Sequence, residues 1–362
     1  SYGVPGLRLG ILASSDENLI SKLKKRLSYF LTFVLCGLSS FAVEPTWSVD
    51  VGSVFDNREG DSKYTKAETF FFITVAPEVG LKITDKDRIA GGVVWNQPLE
   101  NKFGKVKPTI YYRHNGEKWK FSMGLFPRTQ LREPLPGFLW SDSLNYFQKN
   151  VRGALVQYDS GNKGFFDAYI DWRGLQSETT REAFNIMFHG EIRPKNPHFI
   201  VGAHLLMNHF AKSKNPQYEQ HVVDNFLANP YIGVDYSKST VMDSLVVKLG
   251  VLQTIERNRA QDNWDCPGGL WLDGTFEWKM LGAKNSLYLG KRGLLPIYGE
   301  FGAQLYQGEP YYRSKFYDRL DLYGHIYRNK FIDLQAQLNF NFAKGSFIFY
   351  QRLTLVIYLG NL

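Results

Sequence analysis

Catalytic or metal chemistry in this chain would have to start from its histidines. A turn at 193–197 sets His189 almost opposite His204 across an antiparallel pair, both on one face, with Glu191 adjacent. Two imidazoles and a carboxylate can hold Zn²⁺. Two histidines on a polar wall need no metal, however, so no metal or other cofactor is expected. Ester hydrolysis would need a serine and a histidine brought together on outward-facing positions at a lipid interface. The sequence singles out no such pair. Phosphate-cradling loops, cysteine clusters and nucleotide fingerprints are absent. The chain reads as a protein that is not an enzyme.

The charged residues make a different pattern. Along 332–342 apolar residues occupy every even position, and Asp333, Gln335, Gln337, Asn339 and Asn341 every odd one. As a strand this stretch has one apolar and one polar face. The same alternation puts Asp171, Arg173, Glu191, Arg193, Asp273, Glu277, Lys279, Arg319 and Asp321 on the polar face of other strands. Hairpin geometry around 343–346 pairs Gln337 with Arg352 and Asn339 with Tyr350. Taking 328–330 as the preceding turn pairs Asp321 with Gln337 and Arg319 with Asn339. A register slip of two leaves the facing unchanged. Together these residues describe the mixed-charge wall of a polar lumen, open or plugged.

The elements that position them are strands throughout. Alternating segments run from 46–57 through 347–358, with an Asn115-Gly116 hairpin turn among the links. Two long segments break the pattern. One, 127–150, contains Arg128, Arg132 and Glu133, which could line a constriction. The other, 291–313, contains Tyr298, Tyr306, Tyr311 and Tyr312, which resemble the aromatic anchors of a recognition surface. Seventeen segments alternate, whereas bacterial barrels have even strand numbers. Treating 297–306 as part of an outward loop restores about sixteen, with eighteen as the alternative. Glycines at 190, 274 and 324 on the apolar face suit lipid better than a packed core.

Composition agrees. Aromatic residues make up 15%, natural for a chain with girdles at two membrane interfaces. Mean hydropathy of −0.29 excludes a bundle of membrane-spanning helices. Lys22, Lys24, Lys25 and Arg26 precede an apolar run of about a dozen residues, and Ser40-Phe41-Ala42 has small residues where a signal peptidase reads. Residues 1–42 are therefore expected to be upstream residues and a cleaved export signal, and 43–362 a single domain. Only Cys266 survives cleavage, so no intrachain disulfide forms. The net charge of +8 includes a basic leader, and no basic run interleaved with aromatics points to nucleic acid.

These features, with the Gly124-Leu125-Phe126-Pro127-Arg128 break before a long loop and the strand at 317–323, resemble porin-type outer-membrane proteins, particularly those of Bacteroidota. The C-terminal Leu362 departs from the terminal Phe of many proteobacterial barrels. The resemblance implies an antiparallel transmembrane β-barrel in the outer membrane, passive diffusion of small polar or charged solutes, and a third outer loop folded inward as a constriction. Homo-oligomers are compatible with it. The alternative expectation is a closed barrel whose outer loops bind a ligand or partner protein. An exported soluble all-β protein and a barrel hydrolase rank below both.

Overall fold

The computed structural model describes residues 43–361 except 101–102, 133–134, 195, 217–218 and 261–262. The leader expected over 1–42 lies outside the described residues. Sixteen antiparallel strands close into one barrel, each paired with its sequence neighbours, and β1 with β16. They are β1 (Glu44–Asp61), β2 (Glu68–Lys82), β3 (Asp87–Pro98), β4 (Lys105–Asn115), β5 (Trp119–Pro127), β6 (Asn150–Asp159), β7 (Gly164–Gly174) and β8 (Ala183–Ile192). The second half is β9 (Phe199–Phe210), β10 (Val223–Asp235), β11 (Ser244–Asn258), β12 (Gly268–Trp278), β13 (Leu281–Gly290), β14 (Phe316–Arg328), β15 (Ile332–Ala343) and β16 (Ser346–Gly360).

Alternation decides which residues face lipid. On β15 Leu338 and Phe342 are exposed while Asn339 and Asn341 are buried inside. On β5 Trp119 and Met123 point out and Ser122 points in. Such an exterior is stable only in hydrocarbon, and closure leaves no unpaired strand edge there. An added Cβ at the outward-facing Gly274 would meet nothing within 4 Å, the environment of a lipid-facing position.

The links alternate in length. The end carrying the start of β1 and the end of β16 has tight turns, such as 279–280 and 329–331, whereas the opposite end carries 128–149, 211–222 and 291–315. Short turns face the periplasm and long loops the exterior; 128–149 is called L3 below and 291–315 L7. The stretch 297–306 is a loop containing a short helix, α2 (Tyr298–Phe301), and a 3₁₀ turn, and L3 contains α1 (Asp142–Phe147).

Two local expectations change. The polar stretch 211–230 reads as a link before a strand at 231–236, yet 223–230 is the first half of β10. The ladder to β11 is interrupted at Asn229 and Pro230, and the Asn229 side-chain amide donates to the Val251 carbonyl at 3.1 Å. Arg319 and Asp321 pair with Asn341 and Asn339, one inward position away from the expected partners, because the turn falls later than 328–330: Arg328 is still paired, with Asp333, and the irregularity between His325 and Tyr327 takes back only one residue of the offset. Gln337 and Arg352 pair as read.

Candidate functional site

L3 and L7 fold into the barrel rather than over it. Phe138, Leu139 and Trp140 of L3 and Leu294, Leu305, Tyr306, Tyr311 and Tyr312 of L7 are buried. Phe138 packs edge-on against His204, Trp271 and Tyr312. Burying aromatic surface of this size in a lumen releases water that hydrogen-bonds poorly to it, the ordinary hydrophobic drive. Small cavities lie between the loops and the wall; one bounded by Phe138, Leu295 and Tyr306 and one by Leu131, Leu135 and Met187 each have room for about one water.

The arginines expected at the constriction pin L3 to the wall. Arg128 reaches Asp171 at 2.7 Å and lies over the Trp140 ring, and Arg132 reaches Asp159 at 2.8 Å. Glu133 lies outside the described residues. Tyr306, Tyr311 and Tyr312, read as display residues, are inside the plug, where Tyr306 donates to Glu256 and Tyr311 contacts Tyr350; Tyr298 is half-buried and stacks on Tyr306. An inward loop leaves these phenols no surface to present. Met187 and Leu155, apolar residues on an otherwise polar face, are buried in the same cluster as the L3 aromatics. Alternation places both on the inward phase without explaining them; the structure does, since they face the loops that fill the barrel.

Where L3 and L7 meet the wall lies a buried charged cluster. The wall contributes Asp56 and Arg58 from β1, Arg319 and Asp321 from β14, Asn339 from β15, and Tyr350 and Arg352 from β16. L3 contributes Asp142 and Tyr146, and L7 contributes Glu309. Asp142 Oδ2 accepts from Arg319 at 3.0 Å and Arg352 at 2.8 Å. Arg58 donates to Asp56 at 3.0 Å and to Ser143 at 3.2 Å, between the rings of Phe70 and Tyr350. Arg319 Nε donates to Asp321 at 2.8 Å, and Asn339 donates to Asp321 at 2.6 Å. Tyr146 donates to Asp56 at 2.7 Å. The Asp142 backbone N–H donates to Glu309 Oε1 at 2.7 Å.

The two loop carboxylates titrate apart. Burial opposes the charge of Asp142, but Arg319 and Arg352 overcome it and hold the carboxyl well below the usual range. Burial, reinforced by the charge of Asp142, pushes Glu309 up to about 7. Titratable groups split in this way by their surroundings mark functional sites. The sequence reading found Arg319, Asp321, Asn339 and Arg352 but missed Asp56, Arg58, Asp142 and Glu309. Asp142 and Glu309 lie outside any alternating strand, where periodicity has nothing to say.

The other expected wall residues are dispersed. Asp171 holds L3, and Arg173 donates to the Gln304 carbonyl of L7 at 2.5 Å. Glu191 binds Lys248 at 2.5 Å and Tyr231 at 2.8 Å. Arg193 binds Asp235 at 2.6 Å near the short turns. Glu277 accepts from Tyr323, and Asp273 and Gln337 face the lumen half-buried. Lys279 is corrected: it lies in the 279–280 turn at φ 55°, outside the wall. His189 and His204 stack face to face at 4.1 Å, which keeps their nitrogens from converging on one ion. Among the described residues no three potential ligands group around a metal position. One Ser–His contact does form, Ser239 Oγ to His198 Nε2 at 3.2 Å, but it sits on exposed short turns at the periplasmic end.

Among curated proteins none matches the chain in sequence. Among solved structures the barrel is similar to the outer-membrane protein OprD of Pseudomonas aeruginosa, with TM-score 0.53, 8% identity, and coverage of 88% of this chain and 96% of that one. It is also similar to OpdL and OpdK of the same organism, with TM-scores 0.53 and 0.52, 9% identity to each, and coverage of 88% of this chain and 99% of theirs. At such identity the likeness is one of fold: a closed outer-membrane-type β-barrel. The sequence model of the Lipid A 3'-O-deacylase-type family matches residues 46–359, from β1 to the end of β16. That family is named for an enzyme, which overturns the expectation that the protein is not one. The chain belongs to the Lipid A 3'-O-deacylase-type family.

Proposed function

We propose that the protein is an outer-membrane acyl-ester hydrolase of the lipid A 3'-O-deacylase kind, working from a plugged barrel. The observation that carries this reading is the family match over the whole barrel. The loops packed into the lumen support it, because aromatic side chains of L3 and L7 buried against the wall suit a site better than an open diffusion path. In this reading the charged cluster under L3 and L7 does the chemistry. Glu309, poised near neutral pH, takes the proton from the attacking water. The guanidinium of Arg319, 3.8 Å from Glu309, stabilises the oxyanion of the tetrahedral intermediate. The oxyanion collapses, the ester C–O bond breaks, and the proton passes to the leaving sugar oxygen. Substrate entry requires L3 and L7 to part.

The test is mass spectrometry of lipid A from cells producing the protein. The expected result is loss of one O-linked acyl chain, with turnover reduced ~10²–10⁴-fold in Glu309→Gln. Unchanged lipid A in cells with folded, outer-membrane protein overturns the reading.

A second reading, passage of small polar solutes, is favoured by the fold likeness to the Pseudomonas proteins; one of those structures is of OpdK with vanillate. Here the wall arginines would guide a carboxylate once the loops move. Liposome swelling with small carboxylates separates the readings, since a channel for them gives swelling and a hydrolase whose loops part only for its lipid substrate gives none.

A further inference from the structure

Two of the cluster's three arginines converge on a single oxygen that the barrel wall does not own. Arg319 on β14 and Arg352 on β16 both donate to Oδ2 of Asp142, at 3.0 and 2.8 Å. Asp142 is carried by α1 of L3. The wall's own carboxylates account for other contacts: Asp56 for Arg58 at 3.0 Å and for a longer bond to Arg352 at 3.3 Å, and Asp321 for Arg319 Nε at 2.8 Å. Arg352 Nε is buried and has no hydrogen-bond partner among the described residues. The wall therefore presents a forked set of guanidinium donors, and a loop fills it.

The loop that fills it is attached to its neighbour by few bonds. L3 joins L7 through Ser141 N–H to the Gln307 carbonyl at 2.7 Å, Glu309 N–H to the Gly137 carbonyl at 2.7 Å, and the Asp142 N–H to Glu309. A guanidinium pair matches the planar oxygens of a carboxylate or the tetrahedral oxygens of a phosphate, with charge-assisted bonds about twice as strong as neutral ones.

We infer that Arg319 and Arg352 form a binding site for an anionic oxygen group, a phosphate or carboxylate, and that Asp142 is its built-in stand-in, displaced when the ligand enters. This rests on the reading that the charged cluster is the functional site, and it names the part of the substrate recognised there. Displacement exchanges one anion for another between the same two cations, so no buried charge is left uncompensated. It also frees α1 from the ion pairs it makes among the described residues, which couples ligand entry to the opening of L3.

The experiment uses the full-length protein folded in detergent micelles, with inorganic phosphate as one probe and a phosphorylated glycolipid in mixed micelles as the other. Sodium chloride matches ionic strength, and the dephosphorylated glycolipid is the control. Affinity is read by calorimetry, and opening of L3 by hydrogen exchange at 141–147. Asp142→Asn should bind phosphate at least ~10-fold more tightly than the wild type, because the competing charge is gone. Arg352→Gln should abolish the gain when combined with it. Phosphate, but not chloride, should raise exchange at 141–147 in the wild type.

Binding of the lipid probe alone assigns the site to a headgroup, and binding of inorganic phosphate as well assigns it to free anions. Binding of neither, or an Asp142→Asn variant that binds no tighter, overturns the inference. If Asp142→Asn does not fold, the wild-type exchange decides by itself, and exchange unchanged by phosphate overturns it. No acyl turnover enters these readouts. Anion binding without any change in lipid A would sink the hydrolase reading and keep this one.

Discussion

The two halves of the barrel interior are built from the same strands and face the same way, yet they are different places. On β15 Asn339 and Asn341, toward the outer loops, are 0% and 1% exposed. Gln335 and Gln337, the preceding residues of the same inward row, are only half-buried. The difference is what covers them. L3 and L7 descend on the outer half and bring aromatic rings and two carboxylates, whereas the turns at the other end are too short to reach inside. Strand chemistry makes a polar wall everywhere; loop chemistry decides where that wall becomes a site.

Removing a charge from each half should separate them most sharply. Arg319→Ala leaves Asp142 and Asp321 buried without their shared cation, which costs about 3–5 kcal/mol. Lys82→Ala, at the solvent-screened periplasmic rim with Glu44 and Asp85, should shift stability far less. The midpoint of the heat-induced shift in gel migration measures both, and equal losses would erase the distinction. Phe138→Ala comes next. It empties the position between His204, Trp271 and Tyr312 and should cost about 3–5 kcal/mol, less if the loops settle into the gap.

The pH response should be smaller and confined to the outer half. Glu309 titrates at about 7 in the folded protein against an ordinary 4.5. The folded state therefore binds this proton more tightly than the unfolded chain. Its contribution is fully present below about pH 4.5 and is lost as pH rises through about 7. Gel-shift midpoints between pH 4.5 and 7.5 should fall with rising pH, and Glu309→Gln should flatten that slope. A slope that survives in Glu309→Gln assigns it to another group.

The barrel was legible in the sequence because period-two alternation survives in strands that must be apolar outside and polar inside. The pairing of Gln337 with Arg352 follows from it, whereas the even strand number and the loop status of 297–306 need the rule that bacterial barrels close with an even count, because alternation alone gives seventeen. The plug was only half legible. Met187 and Leu155 violated the polar phase, but the sequence could not say what touches them, since L3 and L7 have no period and their contacts reach from 307 back to 141 and 185. The same blindness hid Asp142 and Glu309. The register of β14 reads one inward position off because alternation fixes the facing of a residue and not the place of the turn, which lies beyond the still-paired Arg328. The enzymatic family was not legible at all: its mark is a match over the whole chain, not a Ser–His pair.

The central claim is that the outer half is sealed by L3 and L7 around a charged site. Planar-bilayer recording tests it most directly, comparing the wild type with a variant whose residues 293–312 are replaced by a short Gly-Ser link. The wild type should pass little or no ionic current, and the shortened protein should open in discrete steps. Large steady conductance from the wild type, unchanged by removing the loop segment, would contradict the account.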